Sequence, residues 1–164
     1  MRTILLACCG AIAIAGCSQA AGPDGSRSMP MLSAANTIEA CFQQNPEEAA
    51  RTANCIGQYS QACMRLSADG ETTSGMIRCT SQEYQAWDGR LNAAYTQLRA
   101  GIEPERADAL QAAQRAWIAL RDADCAFDAS AYEGGTLQPL IHEQCLLGYA
   151  ARRSLRLSSG FGQR

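Results

Sequence analysis

Six cysteines between residues 41 and 145 constrain this chain more than any other feature: Cys41, Cys55, Cys63, Cys79, Cys125 and Cys145. Their spacing contains no C-x-x-C pair and no metal-like cluster, so the pattern reads as a disulfide framework, not a zinc site or a thiol nucleophile. Six cysteines allow 15 connectivities. Joining neighbours in sequence is the most economical of them: Cys41 to Cys55, Cys63 to Cys79 and Cys125 to Cys145. Loops of that size stabilise by about 3 kcal/mol each, mainly by restricting the unfolded chain.

A disulfide framework needs an oxidising compartment, and the N-terminal residues point to one. Arg2 precedes an apolar run from Ile4 to Ile14, far shorter than the ~20 residues of a spanning helix, so residues 1–16 are expected to be a cleaved secretory signal. Ala15 and Gly16 before Cys17 match the small-residue positions of a bacterial lipobox. Cys17 is then the lipidated first residue of the mature chain; ordinary cleavage at Ala20 or Ala21 is the alternative. Cys8 and Cys9 leave with the signal, and an even number of free cysteines remains. Residues 17–35 hold Gly, Pro and Ser with few large apolar groups and read as a tether. Such a tether would hold the domain only ~25 Å from the lipid surface. Its expected place is the periplasmic side of the bacterial envelope, and Ser18 after the cysteine favours the outer over the inner membrane.

The remainder, 36–164, is long enough for one domain. All fourteen basic residues are Arg. With Arg2 removed, 13 Arg face 16 Asp plus Glu, a formal charge of −3, which argues against a nucleic-acid partner. The apolar spacing predicts an all-α fold. Tyr84, Trp87, Leu91, Ala94 and Leu98 form one stripe on a helix from about Ser74 to Ala100, with Gly101 just past its end. Pro104 suits the first turn of a second helix, which Glu103, Glu105 and Asp108 favour through its dipole. Leu110, Ala113, Trp117, Leu120 and Phe127 continue the spacing to about Ala131. These two helices are expected to pack as an antiparallel hairpin, being joined by so short a turn. Thr136 is the expected N-cap of a third long helix, whose buried side draws on Leu140, Ile141, Leu147, Ala151 and Leu155. Asn36 to Leu66 predicts two short helices interrupted near Asn45-Pro46.

Three stretches carry a resemblance. Cys79-x-x-x-Glu83-x-x-x-Trp87-Asp88-x-x-Leu91-Asn92-x-x-Tyr95 is the first, and Gln114-Arg115-Ala116-Trp117-Ile118-x-x-Arg121-Asp122-x-x-Cys125 the second. Gly134-Gly135, Cys145 and Arg152 complete the pattern, which resembles the LprI-type lysozyme inhibitor family over about residues 63–157. The resemblance implies a small, mostly helical, secreted or lipid-anchored bacterial protein that inhibits lysozyme, of the c-type or another basic muramidase. The segment around Cys41 and Cys55 lies outside that pattern.

The motif residues themselves read first as architecture. A half-buried pair of Asp88 and Arg121 would set the register of two helices, with Asn92, Arg115 and Asp122 beside it and Gln114 satisfying a backbone carbonyl. Trp87, Trp117 and Tyr95 fall on the apolar stripes and read as core, not as a carbohydrate platform. Catalytic sets lack parts: the only His is His142, no Lys is present, and no nucleophile stands near that His. No cofactor is implied. Asp122, Asp124, Asp128 and Glu133 match a calcium-loop count at positions 1, 3, 7 and 12, but Ala126 and Phe127 occupy positions 5 and 6, where a ligand and a Gly are required, so no metal site is expected. Asp124, Asp128, Gly134 and Gly135 are instead the expected partner surface, acidic and able to approach a basic protein closely. Two functions are compatible with these readings: a non-catalytic binder that blocks lysozyme, and a structural or adaptor lipoprotein of the envelope.

Overall fold

The computed structural model describes residues 33–159. The expected signal, Cys17 and most of the tether lie outside the described residues, as do 160–164. Six helices follow one another: α1 (Ala34–Gln44), α2 (Glu48–Asn54), α3 (Gln58–Leu66), α4 (Thr73–Ala100), α5 (Pro104–Ser130) and α6 (Gln138–Ser158). The chain before Leu66 thus makes three short helices where the sequence predicts two. The additional break falls at Gly57, whose φ of 85° ends α2 and opens α3 in a conformation that L side chains resist. Helix α1 begins two residues inside the expected tether, because Ala34 is buried against Tyr59, Cys63 and Cys79.

Local chemistry accounts for most helix ends. Thr72 caps α4 by accepting a hydrogen bond from the Gly75 amide at 3.0 Å. The turn before it is tight: a Cβ on Gly75 would stand 2.0 Å from the Asp69 carbonyl oxygen. Pro104 opens α5 with its fixed φ. The start of α6 departs from the expectation, since the capping position is Leu137, not Thr136, and no side chain caps it.

Packing departs further. Helix α4 lies along α6 and packs little against α5. The hairpin is therefore α5 with α6: Gln114 reaches Arg153, Trp117 faces Tyr149, and Cys125 bonds Cys145, a register that runs in opposite directions. The reason is shape. Helix α6 offers Ala150 and Ala151, both fully buried, so α4 can approach closely enough to bury Trp87, Leu91, Ala94 and Leu98 beside Leu147 and Leu155. The stripe expected to bury α5 is largely outside, with Leu120 54% and Phe127 78% exposed.

Three disulfides staple this arrangement: Cys41–Cys55, Cys63–Cys79 and Cys125–Cys145, with Cα separations of 5.7, 5.7 and 5.4 Å. The first closes α1 on α2, the second α3 on α4, the third α5 on α6. Phe42 of α1 lies 5.7 Å from Trp87 of α4, and Arg90 reaches from α4 to Glu39 of α1. Glu83 ties α3 to α4 from inside. Fully buried, it accepts hydrogen bonds from the backbone amides of Gly57 and Ser60, each at 2.7 Å, and from the Trp87 indole at 3.2 Å. A carboxylate on one helix thereby caps the N-terminus of another.

The expected pair of Asp88 and Arg121 does not form. Asp88 accepts from Asn92 one turn along its own helix, and Arg121 binds its neighbour Asp122 at 2.7 Å. Both charges stand near the Tyr84 hydroxyl, whose pKa is raised first by burial and then by Asp88, with Arg121 opposing. The cause is the same helix exchange: α6 occupies the place beside α4 that α5 was expected to fill. Asp88→Ala should therefore change stability by less than about 1 kcal/mol, because its bond to Asn92 is exposed. A thermal melt decides it: a loss of several kcal/mol would require a buried counter-charge at Asp88.

Candidate functional site

Two surface features lie on the α5–α6 hairpin. The first is its corner, residues 131–137, every one of them exposed. A succession of tight backbone bonds shapes it: the Tyr132 amide donates to Ala129, Glu133 to Ser130, Gly135 to Tyr132 at 2.9 Å, and Gln138 to Gly135. Gly134 has a φ of 74°, which explains glycine there, and a Cβ on Gly135 would stand 3.1 Å from the Tyr132 carbonyl oxygen. The corner is thus held in shape locally, and it carries Tyr132 and Leu137 as exposed apolar groups next to Phe127 in the penultimate turn of α5.

Its charge is acidic, through exposed Asp128 and Glu133. Asp124 is engaged otherwise, since it accepts a short hydrogen bond from the Tyr149 hydroxyl of α6. That bond, more than desolvation, raises the Tyr149 pKa. The expected acidic pair Asp124 and Asp128 is therefore split, one partner holding the hairpin and the other facing outward. Asp122, Asp124 and Asp128 stand on one continuous helix, so the calcium-loop spacing has no loop to act through.

The second feature is a cleft of about 420 Å³ between α5 and α6, lined by Trp117, Tyr149, Arg152, Arg153 and Arg156. Trp117 is half-buried, packed against the core on one side while the Arg121 guanidinium lies 5.3 Å and the Arg153 guanidinium 5.5 Å from its ring centroid. Gln114, buried, accepts from Arg153 Nε at 3.0 Å instead of serving a backbone carbonyl. Burial, and then the charge of Arg156, lowers the pKa of Arg153.

The expected site residues thus separate by location. Glu83, Trp87 and Leu91 are interior, Asp88 is half-buried, Asn92, Arg115 and Asp122 are exposed, and Tyr95 is partly buried against the core. Gln114, Trp117, Arg121 and Arg152 converge on the cleft. Sequence reasoning missed Tyr149, Arg153 and Arg156 there, although Arg152 and Arg156 stand at i and i+4, a spacing that places both on one helical face. It also missed Phe127 as a surface group, because the residue continues an apolar stripe.

The model of the family described as lysozyme inhibitor LprI matches residues 63–157, more than half of the chain. The chain belongs to the LprI lysozyme inhibitor family. The LprI match begins at Cys63 in α3 and ends at Leu157 in α6, so it includes Glu83 but not the Gly57 and Ser60 amides that it caps, together with the hairpin and two of the disulfides. Helices α1 and α2 with Cys41–Cys55 lie outside it. A relative in Rhizobium meliloti (strain 1021), the uncharacterized protein R02472, is 29% identical over 92 residues. That alignment covers 48% of this chain and 66% of the relative. No solved structure matches. LprI is an inhibitor family, not a catalytic one.

Proposed function

We propose that this protein binds and inhibits lysozyme at the bacterial cell envelope, held to the membrane by acyl chains on Cys17, and that the α5–α6 corner is the part that enters the enzyme. Membership of the LprI family is the observation that carries the reading. The corner supports it physically. Lysozymes cleave glycan in a cleft between two carboxyl groups, so an inhibitor needs a projecting element of fixed shape. Phe127, Tyr132 and Leu137 supply exposed apolar and aromatic groups of the kind that dominates binding energy, and locally bonded turns limit the entropy lost on docking. Asp128 and Glu133 complement a basic muramidase and would speed the encounter, an effect that rising salt screens beyond ~8 Å at physiological ionic strength.

The test is turbidity loss of bacterial cell walls with excess oxidised protein, run against several lysozyme classes. Lysis by at least one basic lysozyme is expected to slow. Phe127→Ala with Tyr132→Ala should weaken inhibition about tenfold or more at unchanged melting temperature, since both side chains are exposed. Undiminished lysis with every class would overturn the reading in favour of an envelope adaptor.

A further inference from the structure

We propose that the cavity at the base of the α5–α6 corner is a pocket for a guanidinium group, and that an arginine side chain of a bound basic lysozyme fills it. The second half rests on the lysozyme reading; the first does not. The cavity holds about 370 Å³ and lies between the last turns of α5, at Ala126 and Ala129, and the first turns of α6, at Gln138, Pro139, His142 and Glu143. It adjoins the part proposed to enter the enzyme. Gln138 Oε1 accepts from the Gly134 amide at 3.4 Å, and Ala126 and Ala129 bracket Phe127 and Asp128 in the chain.

One polar atom of this wall lacks a partner. Glu143 Oε2 is buried and accepts no hydrogen bond, whereas buried polar groups nearly always find one. The ion pairs among the described residues are Arg78–Asp69, Arg90–Glu39 and Arg121–Asp122, and Glu143 is in none of them. Its neighbourhood has an excess of negative charge. The Tyr84 hydroxyl of α4 feels the charges of Asp88, Asp122 and Glu143 with Arg121 opposing them, and that guanidinium is bonded to Asp122. A half-buried carboxylate on the wall of a cavity, with an oxygen left unbonded, is completed by a charged donor that arrives from outside.

Shape and chemistry select the group. A carboxylate binds a guanidinium through two parallel N–H···O bonds, a planar match that an ammonium does not offer. Rotation about the terminal bond of Glu143, whose torsional well is broad, turns Oε2 toward such a fork. The Gln138 carbonyl oxygen keeps a second lone pair for a further N–H. Ala126, Ala129 and Pro139 give the methylene stem an apolar surface to lie on. The volume is at the small end of ligand cavities, room for one side chain but not for a folded segment.

Butylguanidinium is the probe, an arginine side chain without its backbone, and His142 is the reporter, because it is the only histidine of the chain and lines the cavity. Proton NMR of the full oxidised protein is expected to show the His142 ring resonances moving saturably with millimolar butylguanidinium and not with neutral butylurea. Glu143→Gln should abolish the movement while the melting temperature stays level or rises, since the amide removes a buried, unbonded charge. Against a lysozyme that the wild type inhibits, the same variant should weaken inhibition about tenfold or more, the scale of one desolvated charge pair. No saturable movement, an equal movement with butylurea, or an unchanged one in Glu143→Gln would overturn the pocket, and a marked fall in melting temperature would make the carboxylate structural and overturn it too. Full inhibition by Glu143→Gln would overturn the arginine assignment. A wild type that binds butylguanidinium yet inhibits no lysozyme would sink the lysozyme reading and uphold the pocket.

Discussion

Glu83→Ala is expected to destabilise the protein by about 3 to 5 kcal/mol and to lower its melting temperature by on the order of 10 to 20 °C. The carboxylate is fully buried and accepts from three donors on two elements, the amides of Gly57 and Ser60 and the indole of Trp87. Alanine would leave all three unsatisfied and open a void beside Trp87, and each unsatisfied buried donor costs about 1 to 3 kcal/mol. Glutamine is not a rescue. Its amide group would set its own donors against at least one of the same N–H groups, so Glu83→Gln should fall between wild type and alanine. Chemical denaturation with the disulfides intact measures the effect. If Glu83→Ala unfolded within about 0.5 kcal/mol of wild type, the cap would be ornamental and α3 would be held by Cys63–Cys79 and Tyr59 alone.

Replacing Cys125 and Cys145 together by Ala is expected to cost about 3 kcal/mol, and the damage should be local to α5 before it is global. Helix α5 buries only Ala107, Gln114, Cys125 and Ala129, and it leans on α6 with little support from α4. Its remaining ties are Tyr149 to Asp124, Arg153 to Gln114 and the Trp117 contacts. Amide exchange should therefore quicken along Pro104–Ser130 while α4 stays protected by its buried stripe. Because the corner sits on this hairpin, the same variant should lose lysozyme inhibition as well. Exchange in α5 indistinguishable from wild type would mean that the non-covalent contacts suffice.

These two results would also separate what each region contributes. The Glu83 cap lies in the part of the molecule shared by α3 and α4, remote in sequence from the corner, so a partly destabilised Glu83→Gln that still folds should inhibit as wild type does at low temperature. The hairpin disulfide acts on the surface proposed to bind. Stability and function are thereby expected to divide along α4 and α5.

The local properties of this protein were legible in its residues. Apolar spacing places α4 within one residue at its start and α5 within one at its end, Pro104 is recognisable as a helix-opening residue, and Asn45-Pro46 breaks the first segment. Cysteine spacing leads to pairs of neighbours, which are those the structure joins, because short loops close at low entropic cost. The Gln114 to Cys125 and Glu83 to Tyr95 stretches indicate the family without any coordinates. All of this depends on interactions over a few residues, and such interactions are written in the order of the chain.

Which helices pack together was not legible, and it decided the rest. Two long helices joined by a short turn have the option of pairing, but buried area is won by whichever face comes closest. Ala150 and Ala151 let α6 approach α4 more closely than the Trp117-bearing face of α5 could. Once α6 is inserted, Phe127 and Leu120 of a would-be core stripe are left outside, Asp88 and Arg121 lose each other, and Trp117 becomes the wall of an arginine cleft. Glu83 shows the same limit. A glutamate on an apolar helical face is a misfit by pattern alone, and only the approach of the Gly57 and Ser60 amides, 26 and 23 residues earlier, turns its charge into a cap. Sequence patterns report which face of a helix avoids water; the competition among faces for the same buried area is settled only when all of them are present.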